Sequence, residues 1–75
     1  MKALIETIAR SLVDHPEDVQ VTRQEREDAI VYHLTVNPQD VGKVIGKQGR
    51  IAKALRTVVY SAGAREKKRI FLDIE

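Results

Sequence analysis

The amino-acid sequence predicts a small α+β domain whose elements follow the order helix, strand, strand, helix, helix, strand. Three observations carry this prediction. Apolar residues recur with helical spacing in segments 1–13 and 51–62, and they alternate as in β-strands between residues 19 and 36 and from 70 to 74. A segment with glycine at both ends, 46–49, separates the last two helical segments. We expect a three-stranded sheet packed against helices on one face.

The size of the chain limits it to a single domain, which we assign to residues 1–75. With 43% hydrophobic and 32% charged residues, the chain can form one core, and the mixed sign of its charges argues against disorder. The absence of cysteine excludes disulfide frameworks, cysteine-ligated zinc and thiol nucleophiles. No apolar run approaches the roughly 20 residues that span a bilayer, and Glu6 and Arg10 interrupt any signal-peptide core. We therefore expect a cytoplasmic protein.

The first half of the sequence predicts an amphipathic helix followed by a β-hairpin. The helix ends before His15 and Pro16, because a residue that precedes proline avoids helical dihedral angles. Its apolar side consists of Leu4, Ile5, Ile8, Leu12 and Val13. Residues 19–22 and 30–36 then predict two strands, joined by the charged turn 25–28. Because the turn contains neither Asn-Gly nor Asp-Gly, the register of the hairpin stays open.

Residues 37–46 predict a short helix after the hairpin. Asn37 offers a side-chain oxygen as an N-cap, Pro38 suits the first helical position, and Asp40 favours the positive end of the helix dipole. We expect this helix from about Pro38 to Ile45, with Gly46 ending it.

The next helix begins after Gly49 and lasts until Gly63. Its i, i+4, i+7, i+11 spacing predicts that the side facing the sheet consists of Ile51, Leu55, Val58 and Ala62. With that side inward, Val59 and Tyr60 would project outward, so we take them as a candidate dimer contact. A dimer would also add stability, because a core of this size supplies only about 3 to 5 kcal/mol. A strand over residues 70–74 closes the domain.

Positive charge is concentrated in one part of the chain. The segment 41–69 holds nine basic residues and one acidic residue, a net charge of +8, whereas the remainder carries −6. Such an asymmetry is typical of an anion-binding face, although a solvated helix surface is the simpler interpretation.

The glycine-bracketed segment lies within this basic region. Gly46 and Gly49 allow backbone conformations that a Cβ would forbid, and they place a tight turn at the N-terminus of the following helix. Helix N-termini attract phosphate through their unpaired N–H groups. Lys43, Lys47 and Arg50 surround the turn with mobile positive charge. These features indicate a cradle for a sugar-phosphate backbone.

The residues around this turn resemble a known motif. Val44-Ile45-Gly46-Lys47-Gln48-Gly49 is similar to the Val-Ile-Gly-x-x-Gly core of the KH domain, whose GXXG loop clamps about four single-stranded nucleotides. The predicted element order matches the type II arrangement of that fold. The stretch 40–60 most resembles the KhpA-like family of small bacterial KH proteins, and the resemblance covers essentially the whole chain. Ala52 departs from the family pattern, in which a larger aliphatic residue is common.

The resemblance implies a role for each residue of the loop. Gly46 and Gly49 would shape it. Lys47 and Gln48 would face the RNA backbone. Arg50 would add a charge-assisted phosphate contact. No cofactor is implied.

The resemblance also implies that bases lie in an apolar groove between the helix 41–45 and the second strand. Ile45 is the candidate groove contact, although burial in the core is an equally good interpretation of its position. For Val41 and Val44 core packing is favoured. Only three aromatic residues are present, so we expect backbone clamping to dominate over base stacking.

Proteins of the KhpA-like family form homodimers and pair with a larger KH-containing partner of the KhpB/Jag/EloR type, in RNA-linked control of cell elongation and division. The resemblance thus implies a single-stranded RNA-binding protein that acts as a post-transcriptional regulator or RNA chaperone. The alternative is a protein-interaction adaptor that keeps the KH fold mainly for dimerisation.

We do not expect an enzyme. The segment 42–47 has three residues between its glycines where a Walker A loop has four, and Gln48 replaces the magnesium-binding hydroxyl. Ser11, Asp14 and His15 are close in sequence, but His15 is more simply a helix-terminal residue that interacts with the helix dipole. Two histidines without cysteine do not indicate a metal site.

Overall fold

The computed structural model describes residues 1–64 and 67–75. Its main elements are α1 (Lys2–Leu12), β1 (Gln20–Glu25), β2 (Ala29–Thr35), α2 (Val41–Ile45), α3 (Arg50–Ala62) and β3 (Arg69–Ile74). Single 3₁₀ turns lie at Pro16–Asp18, Pro38–Asp40 and Lys47–Gly49. The predicted α+β fold class and element order are confirmed. The short helix expected from Pro38 is divided, because its first turn is 3₁₀ and only the part from Val41 is α-helical.

The three strands form one mixed sheet in the order β1-β2-β3. The first two strands are antiparallel, with Val21 opposite Leu34, and the turn 26–28 joins them. The second and third strands are parallel, with Tyr32 opposite Leu72. A parallel pair requires a crossover connection, and α2 and α3 provide it. The loop between these two helices is therefore the middle of the crossover.

The core lies between the helices and one face of the sheet. Alternate strand residues point into it, which explains the period-two pattern of the sequence. The core residues that are no more than 3% exposed include Ile5, Ala9, Val21, Ile30, Leu34, Val44, Ala52, Leu55, Val59 and Leu72. None of the helices in the described part of the chain has the length and apolar character that a membrane crossing requires.

The orientation of α3 differs from the sequence prediction. Val59 is fully buried, whereas Val58 is 40% exposed, and Ala62 is also exposed. The buried side of the helix consists of Ala52, Leu55, Val59 and Gly63. Compared with the prediction, the helix is rotated about its axis by about 100°, the angle between successive residues, so that Val59 is buried in place of Val58.

The glycine that follows the helix is consistent with this orientation. Gly63 lets the end of the helix approach β3 closely, since a Cβ there would overlap the side chain of Ile70. The prediction that Val59 projects outward as a dimer contact is therefore wrong. Tyr60 is 44% exposed, so its assignment to a dimer stays a prediction.

Adjacent valines provide a test of this orientation. We expect Val59→Ala to lower the free energy of unfolding by about 2 kcal/mol, because it removes buried methyl groups and leaves a cavity. Val58→Ala should cost less than about 1 kcal/mol, since its side chain is partly in solvent. Both substitutions change helix propensity in the same way. The difference between their free energies of unfolding, measured by urea denaturation, therefore reports the difference in burial of the two side chains. Equal losses would contradict the orientation.

Candidate nucleic-acid interface

The loop between α2 and α3 has a backbone that glycine makes possible. Gly46 has φ 76° and ψ 172°, and Gly49 has φ 74° and ψ 16°. Gln48 also has a positive φ, at 59°. The N–H of Gly46 donates to the carbonyl of Gly42 at 2.9 Å, and the N–H of Gly49 donates to the carbonyl of Gly46 at 3.1 Å. Gly46 thus ends α2 as expected, and one 3₁₀ turn leads into α3.

The two glycines are required for different reasons. The dihedral angles of Gly46 are in a region that residues with a Cβ essentially never adopt. A Cβ there would also lie 2.7 Å from Cγ1 of Ile51. Gly49 is in the left-handed helical region, and a Cβ there would meet nothing within 4 Å. Glycine is therefore required at position 46 by both the backbone conformation and the packing against Ile51. At position 49 it is favoured by the backbone conformation alone.

The N-terminus of α3 is open to a ligand. Within the described residues, no side chain caps its first turn, and that turn holds no acidic residue. The N–H of Arg50 donates to the carbonyl of Lys47, so an anion at this end would bind the N–H groups that follow it in the first turn. Lys47 and Gln48 are exposed in the loop, and Arg50 is exposed at the first position of the helix.

The cations around the loop differ in their partners. In residues 1–64 and 67–75, neither Lys47 nor Arg50 takes part in an ion pair. The ammonium of Lys43, by contrast, pairs with Asp14 and lies 3.6 Å from Oδ1 of Asp40. The hydrogen bond to Asp14 raises the pKa of Lys43 above its ordinary value, against desolvation, which lowers it. Lys43 thus lies beside its own acidic neighbours, and its contact with RNA stays a prediction.

The apolar side of α2 divides between the core and the surface. Val44 is fully buried, and Val41 is partly buried against the core. Ile45, directly before the loop, is half-buried. Part of its side chain is accessible beside Gly46, so the base contact expected for Ile45 stays a prediction.

The remaining basic residues of the segment either bind other groups of the protein or are exposed. Nε of Arg56 donates to the carbonyl of Leu72 at 3.3 Å. Nζ of Lys68 donates to Oε1 of Glu25 and to the carbonyl of Arg26, each at 2.9 Å. Lys53, Lys67 and Arg69 are exposed, and Arg65 lies outside the described residues. In the described residues, Lys47 in the loop and Arg50 at the start of α3 are thus the cations at the loop that have no ion pair, and Lys53 follows about one turn further along α3.

A buried carboxylate lies at the start of α2. Asp40 is 1% exposed, and its Oδ2 accepts hydrogen bonds from the backbone N–H of His15 at 2.9 Å and from Nδ1 of the same ring at 3.0 Å. Burial alone would raise the pKa of Asp40, but the hydrogen bonds from His15 and from the backbone of Asp14 outweigh it and hold that pKa below its ordinary value.

Sequence reasoning missed this contact. It assigned Asp40 and His15 separately to helix dipoles, because 25 residues separate them and no local pattern joins them. Asn37 was placed correctly, since its Oδ1 accepts the N–H of Gln39 at 2.8 Å. Across residues 1–64 and 67–75, no group of three or more histidine or acidic side chains is arranged to hold a metal ion.

An apolar groove runs between α1 and α3. Its volume is about 310 Å³. It is lined by Ile8, Leu12, Arg50, Ile51, Ala54, Leu55 and Val58. The orientation of α3 creates this groove, because it turns Val58 away from the sheet. Arg50 belongs both to this groove and to the loop.

These observations define the class of protein. A glycine-bracketed turn at an uncapped helix N-terminus, carried on a β-α-α-β unit with an added helix and strand, is a KH domain of type II. A model of the protein family described as “KhpA/KhpB, KH domain” matches residues 2–74. The chain belongs to this family.

Curated relatives cover almost the same length. The chain is 64% identical over 74 residues to “RNA-binding protein KhpA” of Oceanobacillus iheyensis, with 99% of both chains covered. It is 57% identical to the protein of the same name from Clostridium acetobutylicum, again with 99% of both covered. The relative in Lactiplantibacillus plantarum is 49% identical, and the match covers all of this chain and 88% of that protein.

A solved structure has the same fold. The crystal structure of Era in complex with MgGDPNP and nucleotides 1506–1542 of 16S ribosomal RNA matches with a TM-score of 0.60 and 17% identity. The match covers 99% of this chain and 30% of the Era chain. At this identity the likeness concerns the fold alone.

Substitution of the two glycines should have unequal effects. Gly46→Ala should lower the free energy of unfolding by more than about 2 kcal/mol, because it combines a forbidden backbone conformation with an overlap on Ile51. Gly49→Ala should cost about 1 kcal/mol, the penalty of a left-handed residue without a clash. Urea denaturation followed by circular dichroism measures both. A larger loss for Gly49→Ala would be inconsistent with the loop geometry.

Proposed function

We propose that this protein binds single-stranded RNA by clamping the sugar-phosphate backbone in the loop 46–49, and that it acts in the cytoplasm as a post-transcriptional regulator or RNA chaperone. The observation that carries the proposal is the uncapped N-terminus of α3, which the loop presents beside the exposed side chains of Lys47 and Arg50. Membership of a KH family supports it, as do relatives that are named RNA-binding proteins.

The clamp combines fixed and flexible groups. A phosphate at the start of α3 accepts hydrogen bonds from backbone N–H groups and lies in the positive field of the helix dipole. Lys47 supplies a compact positive charge from within the loop. Arg50 supplies a planar fork that can engage two phosphate oxygens at once. Because the two glycines carry no side chain, the nucleic-acid backbone approaches the loop closely.

Base recognition at this site is limited. Tyr32 is buried in the core at 5% exposure, so it cannot stack on a base. Tyr60 lies near the far end of α3, about 15 Å from the loop at 1.5 Å per residue. Phe71 lines a surface cleft with Tyr60 instead of the loop. Ile45 is left as the apolar contact beside the clamp, and we expect modest sequence selectivity.

We further propose that two copies associate through the groove between α1 and α3. Val58 is exposed there, and Ile8, Leu12 and Ala54 continue the apolar surface. A homodimer would bring two clamps to one RNA and raise avidity by roughly 10² or more. A partner of the KhpB/Jag/EloR type would compete for the same groove, and a role in cell elongation and division would act through that pairing.

The alternative function is an adaptor that uses the fold mainly for dimerisation. An adaptor has no need for unpaired cations around an uncapped helix end. The exposed Lys47 and Arg50 therefore favour the RNA clamp over the adaptor.

Reversing the loop charge should weaken RNA binding and leave the fold intact. We expect Lys47→Asp combined with Gln48→Asp to weaken binding of a fluorescein-labelled 12-nucleotide RNA by more than about tenfold, since phosphate contacts are lost and repulsion is added. For the unmodified protein, log affinity should fall with log salt with a slope of about −2 to −3, from three or four contacts at about 0.7 each.

Fluorescence anisotropy measures both quantities. The matched control is Lys2→Asp combined with Gln24→Asp, which makes the same changes at exposed positions of α1 and β1. The control should bind RNA nearly as well as the unmodified protein. Unchanged RNA binding by the loop variant, with its melting temperature preserved, would favour the adaptor.

Placing a charge in the groove should separate the dimer. We expect Val58→Asp to shift the sedimentation mass from two copies to one, because the carboxylate would have to leave water for a mainly apolar interface. Thr57→Asp is the control, since it introduces the same charge at the neighbouring exposed position. If the unmodified protein, Val58→Asp and Thr57→Asp all have the same sedimentation mass, this interface is rejected.

A further inference from the structure

The position of α2 depends on contacts from outside the helix. It has only five residues, Val41–Ile45, and a helix of this length is not stable alone. It nevertheless carries Lys43 and Ile45 and delivers the chain to Gly46. Whatever fixes the orientation of α2 therefore also fixes one side of the loop.

Polar contacts join the start of this helix to the connection between α1 and β1. Asp40 accepts two hydrogen bonds from His15, at 2.9 Å and 3.0 Å. Lys43 pairs with Asp14. We call these four residues the Asp40 cluster.

A second contact lies beside the Asp40 cluster. Nδ2 of Asn37 donates to Oδ2 of Asp18 at 2.9 Å, and the opposite end of the same amide caps the turn at Pro38–Asp40. The segment before α2 is thus tied to residues 14–18 at several points. Val44 adds the only fully buried apolar anchor of the helix.

We propose that Asp40 and His15 are positioning residues for the RNA clamp, which hold α2, and through it Lys43 and Gly46, in the binding orientation without touching RNA. This inference rests on the proposed function for its consequence, because it concerns the orientation of the same loop.

The energetics of Asp40 support a positioning role. Its carboxylate is 1% exposed, and Oδ1 has no hydrogen-bond partner in the described residues. The cation nearest to this oxygen is Lys43, at 3.6 Å. Burial of a carboxylate is costly unless it is paired, and an apolar residue would serve packing better. The carboxylate instead requires His15 and Lys43 in set positions, so it specifies one orientation of the helix.

The pairing also depends on the protonation of His15. The groups that act on this ring are the carboxylates of Asp40, Glu17 and Asp18, and the nearest cation, Lys43, faces Asp40. The hydrogen bond to Asp40 is the main cause that raises the pKa of His15 above its ordinary value of 6.5. Desolvation opposes this effect only in part.

The direction of the pH effect follows from this raised pKa. Because protonated His15 is favoured in the folded protein, its stabilising contribution is complete below about pH 6.5. It is lost as pH rises through the raised pKa of His15. Above that point neutral His15 still donates its backbone N–H and, as the Nδ1–H tautomer, its ring N–H to Asp40, but the positive charge on the ring is gone. The orientation of α2 is then less well fixed, and RNA affinity falls.

The test is the pH profile of RNA affinity. Dissociation constants for the labelled 12-nucleotide RNA are measured from pH 5.5 to 8.5 at constant ionic strength. We expect the affinity of the unmodified protein to fall by about three- to tenfold as His15 loses its proton. His15→Gln, which keeps the backbone hydrogen bond and has no charge, should bind with the weaker affinity at every pH. Asp40→Asn should give the same flat profile.

His33→Gln is the matched control. His33 is the other histidine of the chain, and it lies on β2 with Nδ1 3.5 Å from Oδ2 of Asp73. This variant should keep the full pH profile. A flat profile in the unmodified protein, or a profile that survives in His15→Gln, would overturn the inference.

A measurement without RNA separates this inference from the proposed function. In the free protein, the amide NMR shifts of Gly46 and Gly49 should titrate with the same midpoint as the ring protons of His15, and His15→Gln should remove that midpoint. Loop amides that do not follow His15 would refute the positioning role even where RNA binds. Loop amides that follow His15 in a protein that binds no RNA would instead refute the clamp and leave the coupling in place.

Discussion

The close packing of α3 on the sheet determines most of what this protein presents to solvent. Gly63 allows a close approach to Ile70 on β3, and Ala52, Leu55 and Val59 are the buried residues of the helix. This packing fixes the direction of α3, and therefore the position of its N-terminus directly after the loop. It also turns Val58 outward, beside α1. The N-terminus of α3, which is the candidate anion site, and the apolar groove are therefore both positioned by this packing, and Arg50 belongs to both.

The basic residues at the surface differ in whether they are bound to other groups of the protein, which their number alone does not show. The sequence shows a basic segment, but the structure divides its cations into those that support the fold and those that remain available. Arg56 and Lys68 bind main-chain carbonyls, and Lys43 is held by acids. Lys47 and Arg50 have no such partner in the described residues. An electrostatic site can therefore be smaller than the net charge of its segment suggests.

The sequence predicted the features that depend on neighbouring residues. Asn37 as a cap, Gly46 as a helix end and the alternation of β2 and β3 are local, and all three are found. The orientation of α3 was not predictable from spacing, because Val58 and Val59 offer equally apolar sides. Which of the two valines is buried depends on how closely α3 approaches the sheet, and that distance is a property of the whole fold.

The candidate site also combines features that depend on neighbouring residues with features that depend on tertiary structure. The loop residues were found from their pattern, whereas the pairing of Asp40 with His15 joins two segments that only the tertiary structure brings together. Such long-range polar pairs leave no periodicity in a sequence. They are the part of a binding site that composition and motif do not reveal.

The sheet has an outer strand, β3, which pairs on one side only. Unprotected strands of this kind invite addition of another chain and lead to aggregation. Here the side chain of Arg56 occupies the carbonyl of Leu72, and Arg69 and Asp73 place charges along the strand. A guanidinium thus takes an acceptor that an incoming strand would need, which protects this edge of the sheet against the addition of another chain.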